Sequence, residues 1–437
     1  MRIEIKDKKN FMDVFNNLYP NNKLNDINGI SIDSRKVLKN DIFFPIKGEK
    51  FDGHDFINDI KDETVTIFSE KFIKRNIIYC KSTKKEIISI SKSWRKKVRS
   101  KIIAITGSNG KTTLKEILFH VLKKKYSCSK SEGNYNSTIG LPLTFLSSLT
   151  NDEICILELG ANKPNEIKFL SEIFKPDYAI ITNISKAHLG NFNSFKDYIK
   201  TKNDIFEHVN KEGEIFINAD DENINSDKKK STTKFSFNKA GDVNAYLKGN
   251  IMKIKFKNKT TEINIPDEML HLKNNILASY TISEKLNISS IDFQNAISTF
   301  KIPNGRGQTI KYKNFKLIDD AYNANPASMF LGIERFDFLK TKGRKILVIG
   351  DMLELGEHEI IEHEKLGDFI NEKKIDIILT YGDLIKFTYQ KIDNIKFEKY
   401  HFNNFSSLYD KFHSITKKND LVYIKSSRSK RLERLYN

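Results

Sequence analysis

Apolar residues fall along this chain in short unbroken runs, each closed by glycine or polar turn residues and followed by a stretch of helical spacing. Ile102–Ile105 reads as a buried strand. Gly107 and Gly110 open a tight loop behind it, and Leu114, Ile117, Leu118, Val121 and Leu122 then recur on one helix face. Glu153–Leu159, Asp177–Ile181 and Gly213–Asn218 repeat the strand pattern with helical stretches between them. Such alternation predicts a parallel sheet whose ligands lie outside the carboxyl ends of its strands. Residues 221–262 alternate polar and apolar positions, as in Met252–Phe256, and predict hairpins; His271 begins a helix running through Leu286.

Upstream, Gly29–Lys36, Asp41–Glu49 and Phe51–Ile57 are β-rich pieces broken by Gly and Asp turns, as in a small α/β domain. Trp94 and the basic segment Arg95–Lys101 read as a domain joint. Ile302–Gly307, with its proline and glycines, reads as a second. Beyond it Phe315–Asp320, Lys345–Gly350, Asp376–Thr380 and Asp420–Ile424 predict another doubly wound domain. The expected fold is α/β in three domains. Residues 1–97 form a small α/β N-terminal domain, 98–302 a central P-loop-type parallel sheet, and 303–437 a Rossmann-like C-terminal domain.

The loop Thr106–Thr113 carries the first chemistry. A strand, a glycine turn and a helix N-terminus in that order make an anion site, because backbone N–H groups and the helix dipole both favour a phosphate there. Lys111 would reach the terminal phosphates and the Thr112 hydroxyl would sit on Mg²⁺, so a nucleoside triphosphate is the expected ligand. The strict spacing needs a glycine where Ile105 stands, so the loop is of a shortened kind. Glu158, ending its apolar run, is placed to meet the Mg²⁺ of a nucleotide on the neighbouring strand's loop. His188 follows another strand end, where a metal role and that of a hydrogen-bonded loop histidine are both open. Lys202 reads from spacing alone as a solvated helix lysine. Asp33, Ser34 and Arg35 stand at a strand end, where a hydroxyl and a guanidinium can bind phosphate or simply form a turn. Asp319, Asp320 and the run Ala321–Pro326 follow the first strand of the last domain; Asp351 and Arg428 follow later ones.

Composition narrows these readings. A chain of 437 residues has room for two to four domains, and 39% hydrophobic with 30% charged residues describes a soluble protein. No apolar run approaches the ~18 residues of a membrane span, and the N-terminus lacks the apolar core of a signal peptide. Three separated cysteines, Cys80, Cys128 and Cys155, suit reduced thiols in a cytoplasm. The net charge of +18 comes from scattered lysines without a nucleic-acid-binding signature, so no nucleic-acid partner is expected; a basic surface would still draw in an anionic substrate.

Taken together, Thr106–Thr113, Glu158–Asn162, Asp319–Pro326 and Gly350–Gly356 resemble the Mur ligases of peptidoglycan synthesis, across all three domains. The Asp319–Pro326 run resembles the branch that joins D-Ala-D-Ala to UDP-MurNAc-tripeptide, as opposed to the one adding the third stem residue. The resemblance implies that Thr106, Gly107, Ser108, Asn109, Gly110, Lys111, Thr112 and Thr113 hold ATP, with His271 and Asn275 near the adenine. Arg306 would reach the γ-phosphate across the hinge, Asp320 would contact the ribose, and Tyr322, Asn323 and Asn325 would line the same cleft. It implies two Mg²⁺, one at Thr112 and Glu158, the other at His188 and at Lys202 carrying a CO₂-derived carbamate. Asp33, Ser34, Arg35, Gly48 and His54 match the uridine-nucleotide-binding domain. Lys111, Lys202, His188 and Arg306 would be the catalytic group, in a cytoplasmic monomer with no membrane span. Leu272, Thr201, Ser426 and Ala321 depart from the family pattern without removing a group that the chemistry requires. Two rivals share parts of this pattern: another amino-acid or polyglutamate ligase of the superfamily, and a nucleotide-gated binding protein.

Overall fold

The computed structural model describes residues 1–48, 51–71, 77–186, 189–225, 231–393 and 395–436. Its strands form three sheets that follow one another along the chain. The first holds β1 (Arg2–Glu4), β2 (Gly29–Ser31), β3 (Asp41–Phe43), β4 (Thr66–Ser69) and β5 (Ile77–Tyr79) in that order, with β1 antiparallel and the rest parallel. Helix α1 (Lys8–Leu18) buries Phe11 and Phe15 against it, and α2 (Thr83–Lys97) starts at Ser82, whose side chain accepts from Lys85 N–H.

The second sheet is built from β6 (Lys101–Thr106), α3 (Lys111–Leu122), β7 (Cys128–Lys130), α4 (Gly140–Phe145), β8 (Ile154–Glu158), α5 (Glu166–Phe174), β9 (Tyr178–Ile181), α6 (Phe195–Asn203) and β10 (Glu214–Asn218). It continues through β11 (Ser231–Ser236), β12 (Val243–Lys248), β13 (Ile251–Phe256) and β14 (Lys259–Asn264), before α7 (Lys273–Lys285) and α8 (Ser290–Thr299). The order is β14-β13-β12-β11-β10-β9-β6-β8-β7. The strands from β7 to β12 are parallel, and apolar clusters cover both faces, as a parallel sheet requires. The expected hairpins exist at β12–β13 and β13–β14. Within 221–262, however, β11 is not a hairpin strand, because it pairs in parallel with both β10 and β12. Alternation reports which face of a strand is wet, and carries no information about the direction of its neighbours.

The third sheet comprises β15 (Gln308–Tyr312), β16 (Phe315–Asp319), β17 (Lys345–Gly350), β18 (Ile377–Tyr381), β19 (Glu398–Phe402) and β20 (Leu421–Lys425), with α9 (Pro326–Phe338), α10 (Glu359–Ile370), α11 (Ile385–Lys391) and α12 (Phe405–Ile415) between strands. Its order is β15-β16-β20-β17-β18-β19, and only the edge strand β15 is antiparallel. The four apolar runs seen in the sequence are its inner strands. The edges β15 and β19 are half-exposed and mixed in character, so they leave no such run.

Trp94 packs where the first two sheets meet. It lies in α2, fully buried, 5.8 Å from the Phe11 ring, and donates its indole N–H to Ser148 Oγ at 3.2 Å. Arg95 beside it donates to Phe174 O at 2.8 Å. One apolar cluster thus runs from Ile3 and Phe11 through Trp94 to Leu141 and Phe174, fusing the first two sheets. Trp94→Ala should remove about 3–5 kcal/mol from the unfolding of these two sheets, read by circular dichroism in a urea titration. An unchanged midpoint would mean that the two sheets are not packed together through Trp94.

Candidate functional site

The carboxyl end of β6 runs into a loop shaped by its neighbours. Gly107 has φ +141°, and a Cβ there would stand 2.0 Å from Thr182 Oγ1. Thr106 turns inward and donates to Leu159 O at 2.7 Å, tying β6 to β8. Ser108 N–H donates to Asn183 O at 2.8 Å and Asn109 N–H to Asn183 Oδ1 at 3.1 Å, so these two amides hold the loop down. The amides of the first turn of α3 have no intrahelical acceptor, the arrangement in which a helix start can meet an anion. Gly110, at φ +79°, is the N-cap of α3; a Cβ would lie 3.1 Å from the Asn275 amide, which donates to Gly110 O at 2.9 Å.

Cations gather at this helix start. Lys111 Nζ donates to Gly107 O at 2.7 Å and Ser108 O at 3.2 Å. Burial, opposed by Glu158 and reinforced by Arg306, lowers its pKa. Lys202, on α6, is buried rather than solvated, with its ammonium 5.0 Å from the centre of the Tyr198 ring. Burial first and the Lys111 charge second hold its pKa well below the ordinary lysine value. Glu158 is the acidic hub: Thr112 Oγ1 donates to its Oε2 at 2.8 Å and Asn136 Nδ2 to its Oε1 at 2.9 Å. Gly160 has no side chain because a Cβ would fall 2.6 Å from Asn136 Oδ1.

The third sheet supplies the opposite wall. Arg306 sits between Gly305 and Gly307, at φ +74° and +84°. Gly305 N–H donates to Asp319 Oδ2 and Gly307 N–H to Asp319 O, both at 2.7 Å, so Asp319 fixes the hinge rather than facing the cleft. Thus aimed, the Arg306 guanidinium stacks 3.7 Å from the Tyr322 ring centre and donates to Thr112 Oγ1 at 3.1 Å. Asp320 Oδ2 accepts from Tyr423 Oη at 2.7 Å and Lys425 Nζ at 2.8 Å. Asn325 caps α9 through Ser328 N–H and exchanges amide hydrogen bonds with Asn109, its Nδ2 donating at 2.7 Å. His271 lies in the 3-10 turn just before α7, its Nε2 3.3 Å from Arg306 O. A carbonyl accepts, so Nε2 carries the proton; Nδ1 is buried without a hydrogen-bond partner among the described residues.

These groups line one cavity of 360 Å³. Of the predicted residues it gathers Ser108 to Thr113, Glu158, Lys202, His271, Asn275, Arg306, Asp320, Tyr322, Asn323 and Asn325. Thr106 and Gly107 stand behind its wall. His188 lies outside the described residues. Asp33, Ser34, Arg35, Gly48 and His54 lie in the turns that connect strands of the first sheet and do not line this cavity. Arg35 is 85% exposed in its side chain and forms a bidentate pair with Asp33, at 2.8 and 2.9 Å. His54 is buried, with Nδ1 2.6 Å from Asp52 Oδ1 and Nε2 accepting from Glu70 N–H at 3.2 Å. Asp351 also serves structure: its carboxylate accepts from the backbone amides of Asp383, Leu384 and Ile385. Sequence reading passed over Asn134, Asn136 and Lys425. Lys425 carried a signal, being the polar residue that ends an apolar run.

A cavity lined by lysines and arginines, with two carboxylates among the described residues facing it and a helix start that no side chain caps, suits a polyphosphate, which places the chain among nucleotide-binding α/β proteins. Residues 105–284 match the Mur ligase middle domain, 305–428 the Mur ligase glutamate ligase domain, and 26–94 the Mur ligase family catalytic domain. The chain is 32% identical over 424 residues to the UDP-N-acetylmuramoyl-tripeptide–D-alanyl-D-alanine ligase of Bacillus subtilis, covering 94% of this chain and 92% of that protein. It is similar to the crystal structure of MurF from Acinetobacter baumannii, with TM-score 0.83 and 26% identity over 93% and 92% of the two chains. The MurF ligase of Thermotoga maritima, solved in complex with ADP, gives 0.79 and 26% over 93% and 95%. This chain belongs to the Mur ligase family.

The buried imidazole makes a pH prediction. Burial, with the Arg335 charge adding to it, lowers the His271 pKa from 6.5 to about 4. Between these values the unfolded chain binds the extra proton and the folded one does not, so stability falls as pH drops from about 6.5 to about 4. His271→Asn should remove up to roughly 3 kcal/mol of that loss, read as a flatter dependence of the urea midpoint on pH.

Proposed function

We propose that this chain joins D-alanyl-D-alanine to UDP-N-acetylmuramoyl-tripeptide with hydrolysis of ATP to ADP and phosphate. The γ-phosphoryl group passes to the tripeptide's terminal carboxylate, giving an acyl phosphate. The dipeptide amine attacks the acyl carbon, the new C–N bond forms as the nitrogen gives up a proton to solvent, and phosphate leaves with the electrons of the broken C–O bond. Lys111, the first turn of α3 and Arg306 meet the charge of the phosphates, and catalysis here is mostly positioning and neutralisation. The observation that carries the reading is the Arg306 guanidinium, delivered by a hinge to 3.1 Å from the glycine-loop hydroxyl of Thr112. Residues 1–97 are read as the uridine-nucleotide-binding domain, 98–302 as the central ATP-binding domain and 303–437 as the C-terminal Rossmann-like ligase domain. A cytoplasmic monomer is the working assignment; no helix among the described residues is long and apolar enough to cross a membrane.

Thr112 Oγ1 and the Glu158 carboxylate are hard oxygen donors of the sort Mg²⁺ takes. Among the described residues no group of three or more His, Cys, Asp or Glu could hold a metal. A cation held by the Thr112 and Glu158 oxygens would be completed by the phosphates of the nucleotide and by water. When bound, Mg²⁺ would neutralise phosphate charge and orient the transferred group. Lys202 suits the carbamate reading because its depressed pKa favours the neutral amine. That amine's lone pair can form a bond to CO₂, releasing a proton and leaving an anion beside Lys111. His188 is assigned to the second cation by family resemblance.

Phosphate release should require both the uridine-linked tripeptide and D-alanyl-D-alanine; release independent of any amine would refute ligation. Lys111→Ala should lower ligation about 10²–10³-fold or more, while the uridine substrate still binds in a calorimetric titration. Lys202→Ala should be inactive and partly rescued by short-chain carboxylates. Unimpaired Lys202→Ala enzyme would remove the carbamate.

A further inference from the structure

Helix α3 carries a second lysine one turn beyond Lys111. Lys115 is completely buried, at 0% exposure, and does not line the cavity. Its ammonium donates to Ser131 O at 2.8 Å and Gly133 O at 3.0 Å. It stands 3.7 Å from Glu158 Oε2 and 3.6 Å from Glu116 Oε1, the latter already paired with Lys130. The segment it grips returns to the same residue, at its backbone through Ser131 and at its carboxylate through Asn136. Ser131 Oγ accepts from Glu158 N–H at 3.0 Å, and Asn136 donates to Glu158 Oε1 at 2.9 Å. Burying an ammonium is costly, and an apolar side chain of similar length would fill the space without that cost, so packing alone does not account for a lysine here.

We propose that Lys115 is a positioning residue for the reaction. It pins the Ser131–Asn136 segment to α3 and holds the Glu158 carboxylate in line with Thr112 Oγ1, fixing the separation of the two oxygens that face the cation. The proposal rests on the reading of Glu158 as that cation's carboxylate.

The test is Mn²⁺ binding to the full chain saturated with ADP, followed by electron paramagnetic resonance. It is set beside ADP affinity in EDTA, measured by calorimetry. Lys115→Met should weaken Mn²⁺ about tenfold or more, as loss of an outer support does, with ADP affinity in EDTA unchanged. Lys115→Arg, which keeps the charge but alters the donor geometry, should weaken Mn²⁺ about threefold. A Lys115→Met protein that melts earlier yet binds Mn²⁺ like the wild type would overturn the proposal. If Lys115→Met does not fold, Lys115→Arg decides, and wild-type Mn²⁺ affinity there overturns it. Glu158→Gln separates the two failures. If it too binds Mn²⁺ like the wild type, the reading of Glu158 fails and the proposal falls with it; if it alone weakens Mn²⁺, only the proposal is lost.

Discussion

The structure is organised around cations gathered at one cavity. Lys111, Lys202 and Arg306 converge on a cavity whose facing carboxylates, Glu158 and Asp320, are already engaged by Thr112, Asn136, Tyr423 and Lys425. Desolvation opposes the charge on both lysines and lowers their pKa, with repulsion added from Arg306 at Lys111 and from Lys111 at Lys202. Such an arrangement is held by the fold against its own electrostatics, and a polyphosphate is the ligand whose charge relieves it. The glycines at 107, 110, 160, 305 and 307 let backbone and neighbouring side chains approach closely enough to build it.

Half of this site belongs to the third sheet, so its geometry depends on how that sheet docks. Three contacts mark the docking. Arg306 reaches Thr112, Asn325 exchanges amide hydrogen bonds with Asn109, and Gly190 N–H donates to Glu354 O at 3.3 Å. At the last of these the backbones of Gly190 and Gly356 meet so closely that a Cβ on Gly356 would lie 2.8 Å from Gly190 Cα. These contacts hold the glycine loop, the Gly305–Gly307 turn and the Gly350–Gly356 motif together at the junction of the second and third sheets. The motif's Asp351 spends its charge on the start of α11 and on Lys430, which keeps that wall rigid.

Secondary structure was legible where burial is two-sided. The inner parallel strands β6, β8, β9, β10, β16, β17, β18 and β20 leave continuous apolar runs because both their faces are covered. Edge and short strands such as β1, β5, β15 and β19 do not, and the direction of β11 left no trace in its alternation. The site divides in the same way. The glycine loop was readable because its residues are contiguous and its chemistry is local. Lys202, Lys115 and Trp94 were not, since a lysine or tryptophan on a helix shows its burial only once the elements packed against it are known.

From its order of residues alone the chain determines three α/β modules, a phosphate loop at the first long strand of the middle one, and a hinge carrying an arginine. Each rests on local sterics and hydrophobic periodicity, which act over a few residues at a time. Tertiary structure decided which charges face one another. It buried Lys202 beside Lys111, engaged Asp319 with Gly305 while turning Asp320 to the cavity, and fused the first two sheets through Trp94. Those outcomes depend on distances between residues far apart in the chain, and on water excluded only when the modules pack, so no local pattern encodes them.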